Sequence, residues 1–351
     1  LFRSPTVSTP APIPIGVIGA GRIGKLHIQN LATRVPGARV TAIADPVLPA
    51  AEAAAAQTRV SYVSADYRDL LADPAIEAVV ICSSTDTHAR IIGEAAAAGK
   101  HIFCEKPIDH DLGRIDTALA AAARAGVKLQ IGFNRRFDPS FRRVREVIAS
   151  GAIGEPHILR ITSRDPAPPP IEYIRVSGGI FLDMTIHDFD MARFLIGSEV
   201  TEVYAAGAVL VDPRIGAEGD IDTALITLRF ANGAIGTIDN SRRAVYGYDQ
   251  RAEVLGSSGM VATANHTPDT AVVADAQGVH GACPLYFFLE RYTEAYVAEM
   301  RAFVESVLED KTPPVTGEDG RIPVVMGYAA WKSLRERRPV ALSEITPNIT
   351  E

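Results

Sequence analysis

A strand, a glycine-rich turn and a helix stand together near the start of the chain, and this combination constrains the fold more than any other feature. The apolar run Ile13–Ile18 breaks into GAGRIG at residues 19–24, and a helical pattern follows from Lys25. In G-x-G-x-x-G, glycines allow a tight turn and let backbone N–H groups approach a pyrophosphate at the positive end of the helix. The context predicts a dinucleotide-binding site.

Strands and helices continue to alternate up to about residue 135. Further strands are predicted at 39–44, 77–82, 101–104 and 128–131, with helices at 87–98 and 112–125 among the segments between them. Such alternation is typical of a doubly wound parallel sheet, whose ligands lie beyond the carboxyl ends of the strands. We therefore expect an α/β Rossmann domain at residues 13–135, after a flexible arm at 1–12.

Asp45 follows the second strand at the distance where a carboxylate accepts hydrogen bonds from the adenosine ribose hydroxyls. It would repel a 2′-phosphate, and no arginine follows it, so NAD is predicted rather than NADP. The alternative role for Asp45 is an N-cap of the alanine-rich helix that follows. The predicted NAD contacts are Gly19, Gly21, Arg22, Ile23, Gly24, Asp45, Ser83, Ser84, Thr85, His88, Glu105 and Lys106.

After Pro139 the alternation stops. Strand-like runs follow one another at 156–163, 200–210, 223–230, 234–239, 251–255 and 260–264, with an Asn-Gly hairpin signal at 232–233. Consecutive strands predict a second domain of the α+β class, at residues 136–351, with a large, mainly antiparallel open sheet. Helices are expected at 141–150, 291–309 and 319–337.

The stretch SGGIFLDMTIHDFDMARFL at residues 177–195 is apolar almost all round, which predicts a buried helix. In one helix Asp183, His187 and Asp190 would form one polar stripe. A buried carboxylate four residues before an imidazole is either a satisfied core pair or a general base with its orienting partner. Lys106, leaving a strand toward the nicotinamide end of the cleft, is either a substrate contact or a surface lysine.

Composition excludes several classes of function. A net charge of −7 gives no electrostatic footprint for nucleic acid or an anionic membrane, and short basic clusters such as Arg242-Arg243 are expected to be solvated. No uninterrupted apolar window suggests a membrane span. The cysteines Cys82, Cys104 and Cys283 lie far apart without a C-x-x-C pair, which argues against a metal site or a disulfide framework and fits the cytoplasm.

These motifs together resemble the glucose–fructose oxidoreductase / inositol dehydrogenase / rhizopine catabolism family of two-domain dehydrogenases. The resemblance covers nearly the whole chain, through GVIGAGRIGKLH, FCEKPI, GFNRRFDPSF, the 177–195 run and NSRRAVYGYDQR. Within the family these motifs are most similar to those of the inositol 2-dehydrogenases. That resemblance implies NAD-dependent oxidation of one hydroxyl of myo- or scyllo-inositol to a ketone, a homotetramer, a cis Lys106-Pro107 peptide, and a catalytic set of Lys106, Asp183 and His187.

In this set His187 would take the hydroxyl proton, Asp183 would orient the imidazole, and Lys106 would stabilise charge on the reacting oxygen. A ring of hydroxyls needs several fixed polar partners. The substrate-binding candidates are Asn134, Arg136, Asp165, Asp190 and Tyr246. Some have plain alternatives: Arg136 could pair with Asp138 or a neighbour, Asp165 could cap the turn into the prolines, and Tyr246 could simply pack.

Other functions fit the same motifs. A pyranose dehydrogenase, such as a glucose dehydrogenase, would meet a similar pattern of hydroxyls. An NAD-dependent glycoside hydrolase of the same fold would oxidise and re-reduce a sugar carbon without net NADH. A non-catalytic nicotinamide-binding regulator would have no need of Lys106, Asp183 and His187.

Overall fold

A computed structural model describes residues 11–347, so that residues 1–10 of the predicted arm lie outside the described part of the chain. Contacts divide the chain into two units. The first holds the described residues up to Asp109, Arg114–Gly132 and Tyr296–Gly317; the second holds His110–Gly113, Phe133–Ala295 and the chain from Glu318 on. No helix in the described range is long and apolar enough to span a membrane.

The first unit is a six-stranded, wholly parallel sheet in the order β3-β2-β1-β4-β5-β6, which confirms the predicted doubly wound fold. Its strands are β1 (Ile13–Ile18), β2 (Ala38–Ala44), β3 (Tyr62–Ser64), β4 (Ala78–Ile81), β5 (His101–Glu105) and β6 (Leu129–Gly132). The helices between them are α1 (Arg22–Thr33), α2 (Leu48–Thr58), α3 (Arg68–Ala72), α4 (Thr85–Ala97) and α5 (Leu112–Ala125). The strand order reverses between β1 and β4, the position at which such sheets bind ligands.

A helix from late in the chain belongs with this sheet. Val297, Met300, Phe303 and Val304 lie in the same buried core as Ile15 of β1. Their spacing of three and four residues places them on one helical face, which is buried there. The predicted single boundary at residue 135 is therefore corrected: residues 296–317 belong to the first unit.

The second unit is built on a seven-stranded sheet in the order β12-β11-β7-β10-β9-β8-β15. Every neighbouring pair is antiparallel except β7 with β10, which confirms the predicted mainly antiparallel sheet. Its strands are β7 (Pro156–Arg164), β8 (Val200–Ala208), β9 (Thr223–Phe230), β10 (Ile235–Ser241), β11 (Asp249–Gly256), β12 (Gly259–Ala262) and β15 (Val340–Ala341). The Asn-Gly turn joins β9 to β10, as predicted. An exposed two-stranded ribbon, β13 (Val272–Asp275) with β14 (Gly278–Gly281), was not predicted.

The predicted helix at 177–195 is two helices. They meet at Met184, which has a φ of −96° and lies between the last residue of the first helix and the first residue of the second. The remaining helices are α6 (Pro139–Ala149), α7 (Ile171–Ile174), α8 (Gly179–Asp183), α9 (Thr185–Ile196), α10 (Pro213–Ala217), α11 (Phe288–Arg291), α12 (Thr293–Leu308) and α13 (Gly317–Glu336), with 3₁₀ turns at Asn134–Phe137 and Leu342–Glu344. The predicted burial of the run is confirmed, because every residue from Gly179 to Arg193 is buried except Asp183 and His187.

Candidate active site

The three glycines of the 19–24 loop have different surroundings. Gly19 has a φ of +100°, and a Cβ there would lie 2.6 Å from the Cys82 carbonyl. A Cβ on Gly24 would lie 2.0 Å from the oxygen of Gly19, whereas one on Gly21 would meet nothing within 4 Å. Gly19 and Gly24 therefore allow the tight turn and the close approach of the helix to the loop. Gly21 leaves the space beside its backbone open. That division fits a pyrophosphate at the start of α1, where Arg22 is exposed and Ile23 half-buried.

Asp45 lies at the carboxyl end of β2 and holds the glycine loop. Its Oδ2 accepts the N–H of Ala20 at 2.7 Å, and its Oδ1 accepts the N–H of Val47 at 2.8 Å. The N-cap of α2 is Val47, so the alternative role of Asp45 as a helix cap is not what the structure has. Each carboxylate oxygen keeps a second lone pair for a ribose hydroxyl.

The loops after β4 and β5 carry the next predicted cofactor residues. Ser83 Oγ lies 2.6 Å from Thr87 Oγ1, Ser84 is the N-cap residue of α4, and Thr85 is the first residue of that helix. His88 is buried, with Nδ1 2.8 Å from the carbonyl oxygen of Pro107 and Nε2 3.0 Å from that of Ser83. His88 therefore ties the two loops together.

Glu105 ends β5 and Lys106 follows it; both are half-buried, and the Lys106-Pro107 peptide is cis. The fully buried His27 of α1 places Nε2 2.7 Å from Glu105 Oε1. His27 was missed from the sequence, although it stands three residues after Gly24 on the helix that the glycine motif begins. Glu105 is thus fixed by a histidine from the glycine-motif helix.

Glu299 of α12 is a buried carboxyl group within the same unit. It is fully buried, and neither of its oxygens has a hydrogen-bond partner among the residues described. Burial, and then the charge of Glu105, raise the pKa of Glu299 well above its ordinary value. The folded protein therefore holds the proton of Glu299 to a higher pH than the unfolded chain does.

In the second unit, Asp183 ends α8 and His187 lies in the first turn of α9. Both are half-buried, whereas every other residue from Gly179 to Arg193 is buried. Asp183 and His187 therefore form the one polar, solvent-accessible position of these two helices, called the polar opening below. The ring of Phe133 lies edge-on to His187, with 5.9 Å between centroids and 83° between planes. This contact with the Phe133 ring restricts the orientation of the imidazole plane.

Asp183 is held by two residues that were not predicted. The hydroxyl of Tyr173 donates to its Oδ1 at 2.8 Å, and Nη1 of Arg242 donates to its Oδ2 at 3.1 Å. Arg242 is only 1% exposed, so the expectation that the Arg242-Arg243 cluster is solvated is wrong for this residue. Burial and then the charge of Asp183 raise the pKa of Tyr173, so its hydroxyl stays protonated and remains a donor.

Asp165 follows β7, directly before the proline-rich segment. Its backbone is fixed by the Ser241 carbonyl at 2.9 Å and the Ala244 N–H at 2.6 Å, while its carboxylate forms no hydrogen bond to another described residue. Burial raises the pKa of Asp165 to about 6, against the lowering effect of Arg242 and Arg135 and with a further increase from Asp183. Asp165 is therefore a carboxylate near Asp183 that titrates close to neutrality.

Arg136 and Asp190 are bound to each other. Nε and Nη2 of Arg136 lie 2.6 to 3.0 Å from the Asp190 oxygens, and Nη2 is also 2.9 Å from Asp319. Asp190 is fully buried. The structure thus has Arg136 paired with a neighbour, Asp190 rather than Asp138. Asp190 does not share the opening of Asp183 and His187.

The other two substrate candidates, Asn134 and Tyr246, differ in whether their polar atoms already form hydrogen bonds. Asn134 is 3% exposed, and its buried Nδ2 has no hydrogen-bond partner in the described part of the chain. The hydroxyl of Tyr246 donates to Asp249 at 2.6 Å and accepts from Arg164 at 3.0 Å. Asn134 therefore offers an unused donor, whereas Tyr246 is already held on both sides. No group of three or more potential metal ligands occurs within residues 11–347.

The sequence matches two family models. Residues 13–133 match the model of the oxidoreductase family with an NAD-binding Rossmann fold, and residues 141–262 match the GFO/IDH/MocA C-terminal domain. The chain belongs to the GFO/IDH/MocA family of oxidoreductases. As a member of this family it is an NAD-dependent enzyme, with its cofactor on the first unit.

Several relatives match over nearly full length. The chain is 51% identical to myo-inositol 2-dehydrogenase of Thermotoga maritima over 94% of its own length and 99% of the relative's. It is 40% identical to scyllo-inositol 2-dehydrogenase (NAD(+)) of Bacillus subtilis, over 93% and 95%. The crystal structure of scyllo-inositol dehydrogenase from Lactobacillus casei with bound NAD(H) and scyllo-inositol superposes with a TM-score of 0.89 at 31% identity, covering 95% of this chain and 99% of that one.

Proposed function

We propose that this protein is an inositol 2-dehydrogenase that oxidises one secondary hydroxyl of myo- or scyllo-inositol to the ketone. The observation that carries the proposal is the polar opening formed by Asp183 and His187 in an otherwise buried pair of helices. The full-length similarity to enzymes named for both inositol epimers supports the substrate class.

NAD, when bound, supplies the acceptor for the hydride that leaves the carbinol carbon. His187 is the base for the hydroxyl proton, and because its Nδ1 is buried, Nε2 is the atom that receives this proton. Asp183 orients the imidazole and stabilises its charged form. Lys106 donates to the reacting oxygen and stabilises the negative charge that develops there.

We assign the first contacts with the remaining hydroxyls to Asn134 and Asp165, and Tyr246 would join them only by giving up one of its bonds to Asp249 and Arg164. Asn134 and Asp165 have polar atoms that bond no other described side chain, which supports this assignment. Arg136 and Asp190 would reach the polyol only by giving up part of their mutual pairing, so we assign them to supporting the site. Leaving a buried polar partner unpaired is costly, and such contacts therefore discriminate between ring substrates.

We further propose that Asp45 selects NAD over NADP, and that the protein is a cytoplasmic homotetramer. The seven-stranded sheet has exposed apolar side chains on β9, β10 and β11. The exposed fraction is 62% for Leu225, 44% for Ile235 and 42% for Leu255. Apolar surface of this kind is typical of a subunit interface. Light scattering after gel filtration tests the tetramer, and a monomer would refute it.

The experiment that tests the reaction is NADH formation by the purified protein. NAD or NADP is offered with myo-inositol, scyllo-inositol, D-glucose, L-glucose or D-xylose. NAD-dependent turnover with an inositol is the expected result and identifies the preferred epimer. Turnover with a sugar alone would contradict the inositol assignment and indicate a pyranose dehydrogenase. Cleavage of a glycoside without net NADH would indicate the hydrolase.

A further inference from the structure

We propose that Arg242 and Tyr173 are positioning residues that hold Asp183 and thereby set the pH range in which His187 accepts a proton. This proposal rests on the proposed function, in which His187 is the base. Both residues act through Asp183, and neither was among the candidate site residues predicted from the sequence.

The two donors occupy different oxygens of Asp183. Tyr173 reaches Oδ1 at 2.8 Å and Arg242 reaches Oδ2 at 3.1 Å. A carboxylate held at both oxygens cannot rotate freely about its terminal bond. The clamp of Tyr173, Asp183 and Arg242 therefore fixes the geometry of the group that orients His187.

Arg242 also connects the clamp to the start of the helix that carries Asp183. Its Nη2 lies 3.5 Å from Asp220, and Oδ1 of Asp220 accepts the N–H of Ile180 at 3.0 Å. Gly179 leaves room for this cap, since a Cβ there would lie 2.8 Å from Asp220 Oδ1. The buried guanidinium of Arg242 thus contacts Asp220, which caps the start of α8, and Asp183, which ends it. Asp183 is therefore fixed through its side chain and through the helix that carries it.

The charges around Asp183 explain why an arginine is required there. The carboxyl of Asp165 and the phenol of Tyr173 act on Asp183, and Arg242 acts on Asp183, Asp165 and Asp220. Arg242 is the only permanent cation in this set. Negative charge near an imidazole stabilises its protonated form and so removes the free base. Arg242 shares the charge of Asp183 and so keeps the imidazole a weaker base.

The position of Tyr173 gives the proline-rich segment a role. Tyr173 lies on α7, which begins directly after Pro170, and its ring is 46% exposed although its hydroxyl is bonded. Prolines restrict the chain ahead of this helix, so little conformational entropy is lost when the phenol is held on Asp183. The segment from Asp165 to Tyr173 therefore carries two groups that face Asp183.

The test compares pH profiles of kcat/KM for inositol oxidation in the wild type, Arg242→Gln, Arg242→Lys and Tyr173→Phe. In Arg242→Gln the acid limb should move upward by about one pH unit, and kcat should fall by about tenfold or more while NAD affinity is kept. In Arg242→Lys, which keeps the positive charge, the acid limb should lie at its wild-type position. Tyr173→Phe should lower kcat by about threefold to tenfold with a smaller upward shift.

The control is Arg193→Gln, which removes another buried arginine of the same unit, one that pairs with Glu199 and Asp319 instead. It should leave the acid limb in place. An acid limb that stays in place in Arg242→Gln, or moves equally in Arg193→Gln, would refute the proposal. If Arg242→Gln does not fold, an unchanged profile and unchanged kcat in Tyr173→Phe would refute it. Failure of the wild type to oxidise any inositol would refute the proposed function instead.

Discussion

Asp183 and His187 stand four residues apart on either side of the break at Met184, and they are the only residues between Gly179 and Arg193 that are not buried. Apolar packing on all other sides of the two helices leaves one opening, and that opening presents a carboxylate beside an imidazole. A satisfied core pair would be closed to solvent. The exposure of these two side chains alone therefore favours a chemical role.

Replacing His187 by alanine should abolish turnover and leave NAD binding nearly intact. Loss of a general base lowers kcat by about 10²- to 10⁴-fold, while His187 lies in the second unit and the glycine motif in the first. NADH absorbance measures turnover, and a fluorescence titration measures NAD binding. His157→Ala, which removes an exposed histidine of β7, is the control and should be fully active. Equal activity in the two variants would contradict the assignment of His187.

Replacing Asp45 by alanine should narrow the preference for NAD over NADP by about tenfold or more, because the carboxylate that repels a 2′-phosphate is lost. The KM for NAD should also rise, since the Ala20 N–H loses its acceptor. The ratio of kcat/KM for the two coenzymes is the measurement. A ratio equal to that of the wild type would show that Asp45 only holds the loop.

The pKa of about 6 for Asp165 predicts a pH dependence of substrate binding. As the pH falls from 7 to 5 the carboxylate takes up a proton and loses its strength as an acceptor, so KM for inositol should rise. In Asp165→Asn, KM should be high and nearly independent of pH across this range, at unchanged NAD affinity. A KM that rises on acidification equally in both proteins would assign the titration to another group.

Glu299→Gln should stabilise the protein at alkaline pH. Because the folded pKa of Glu299 is raised above 4.5, the folded protein keeps a proton that the unfolded chain releases, and stability falls as pH rises above that value. The loss is about 1.4 kcal/mol per pH unit until the folded pKa is reached. Glutamine removes the titration, so the variant should melt above the wild type at pH 8 and close to it at pH 5. Glu305→Gln, on the exposed face of the same helix, should match the wild type at both.

Most of the fold follows from local spacing, because strand and helix periods and the glycine turn are encoded within a few residues. The bounds of β1 and α5 are those that the spacing predicts. The three-residue strand β3 is too short for an alternating pattern and was missed. The membership of α12 in the first unit depends on a core whose members, such as Ile15 and Val297, lie about 280 positions apart in the chain, and no local pattern contains such a core.

The candidate site was predictable only in part, for the same reason. Asp183 and His187 lie within one stretch, so helical spacing places them together. Asp190 pairs with Arg136 instead of joining the predicted stripe, and this pairing depends on a residue 54 positions away. Arg242 stands 59 residues after Asp183, in a short basic cluster that resembles a solvated surface. Its burial against three carboxyl groups is a product of tertiary structure.

The measurement that tests the central claim most directly is deuterium transfer from inositol. The protein is incubated with NAD and myo- or scyllo-inositol carrying deuterium at the carbon to be oxidised, and the NADH and the ketone are examined by NMR and mass spectrometry. We expect one deuterium at C4 of the nicotinamide and a 2-keto-inositol product. Neither the deuterated NADH nor the ketone should form with His187→Ala. NADH without deuterium, or deuterium transfer that persists in that variant, would contradict the proposed reaction.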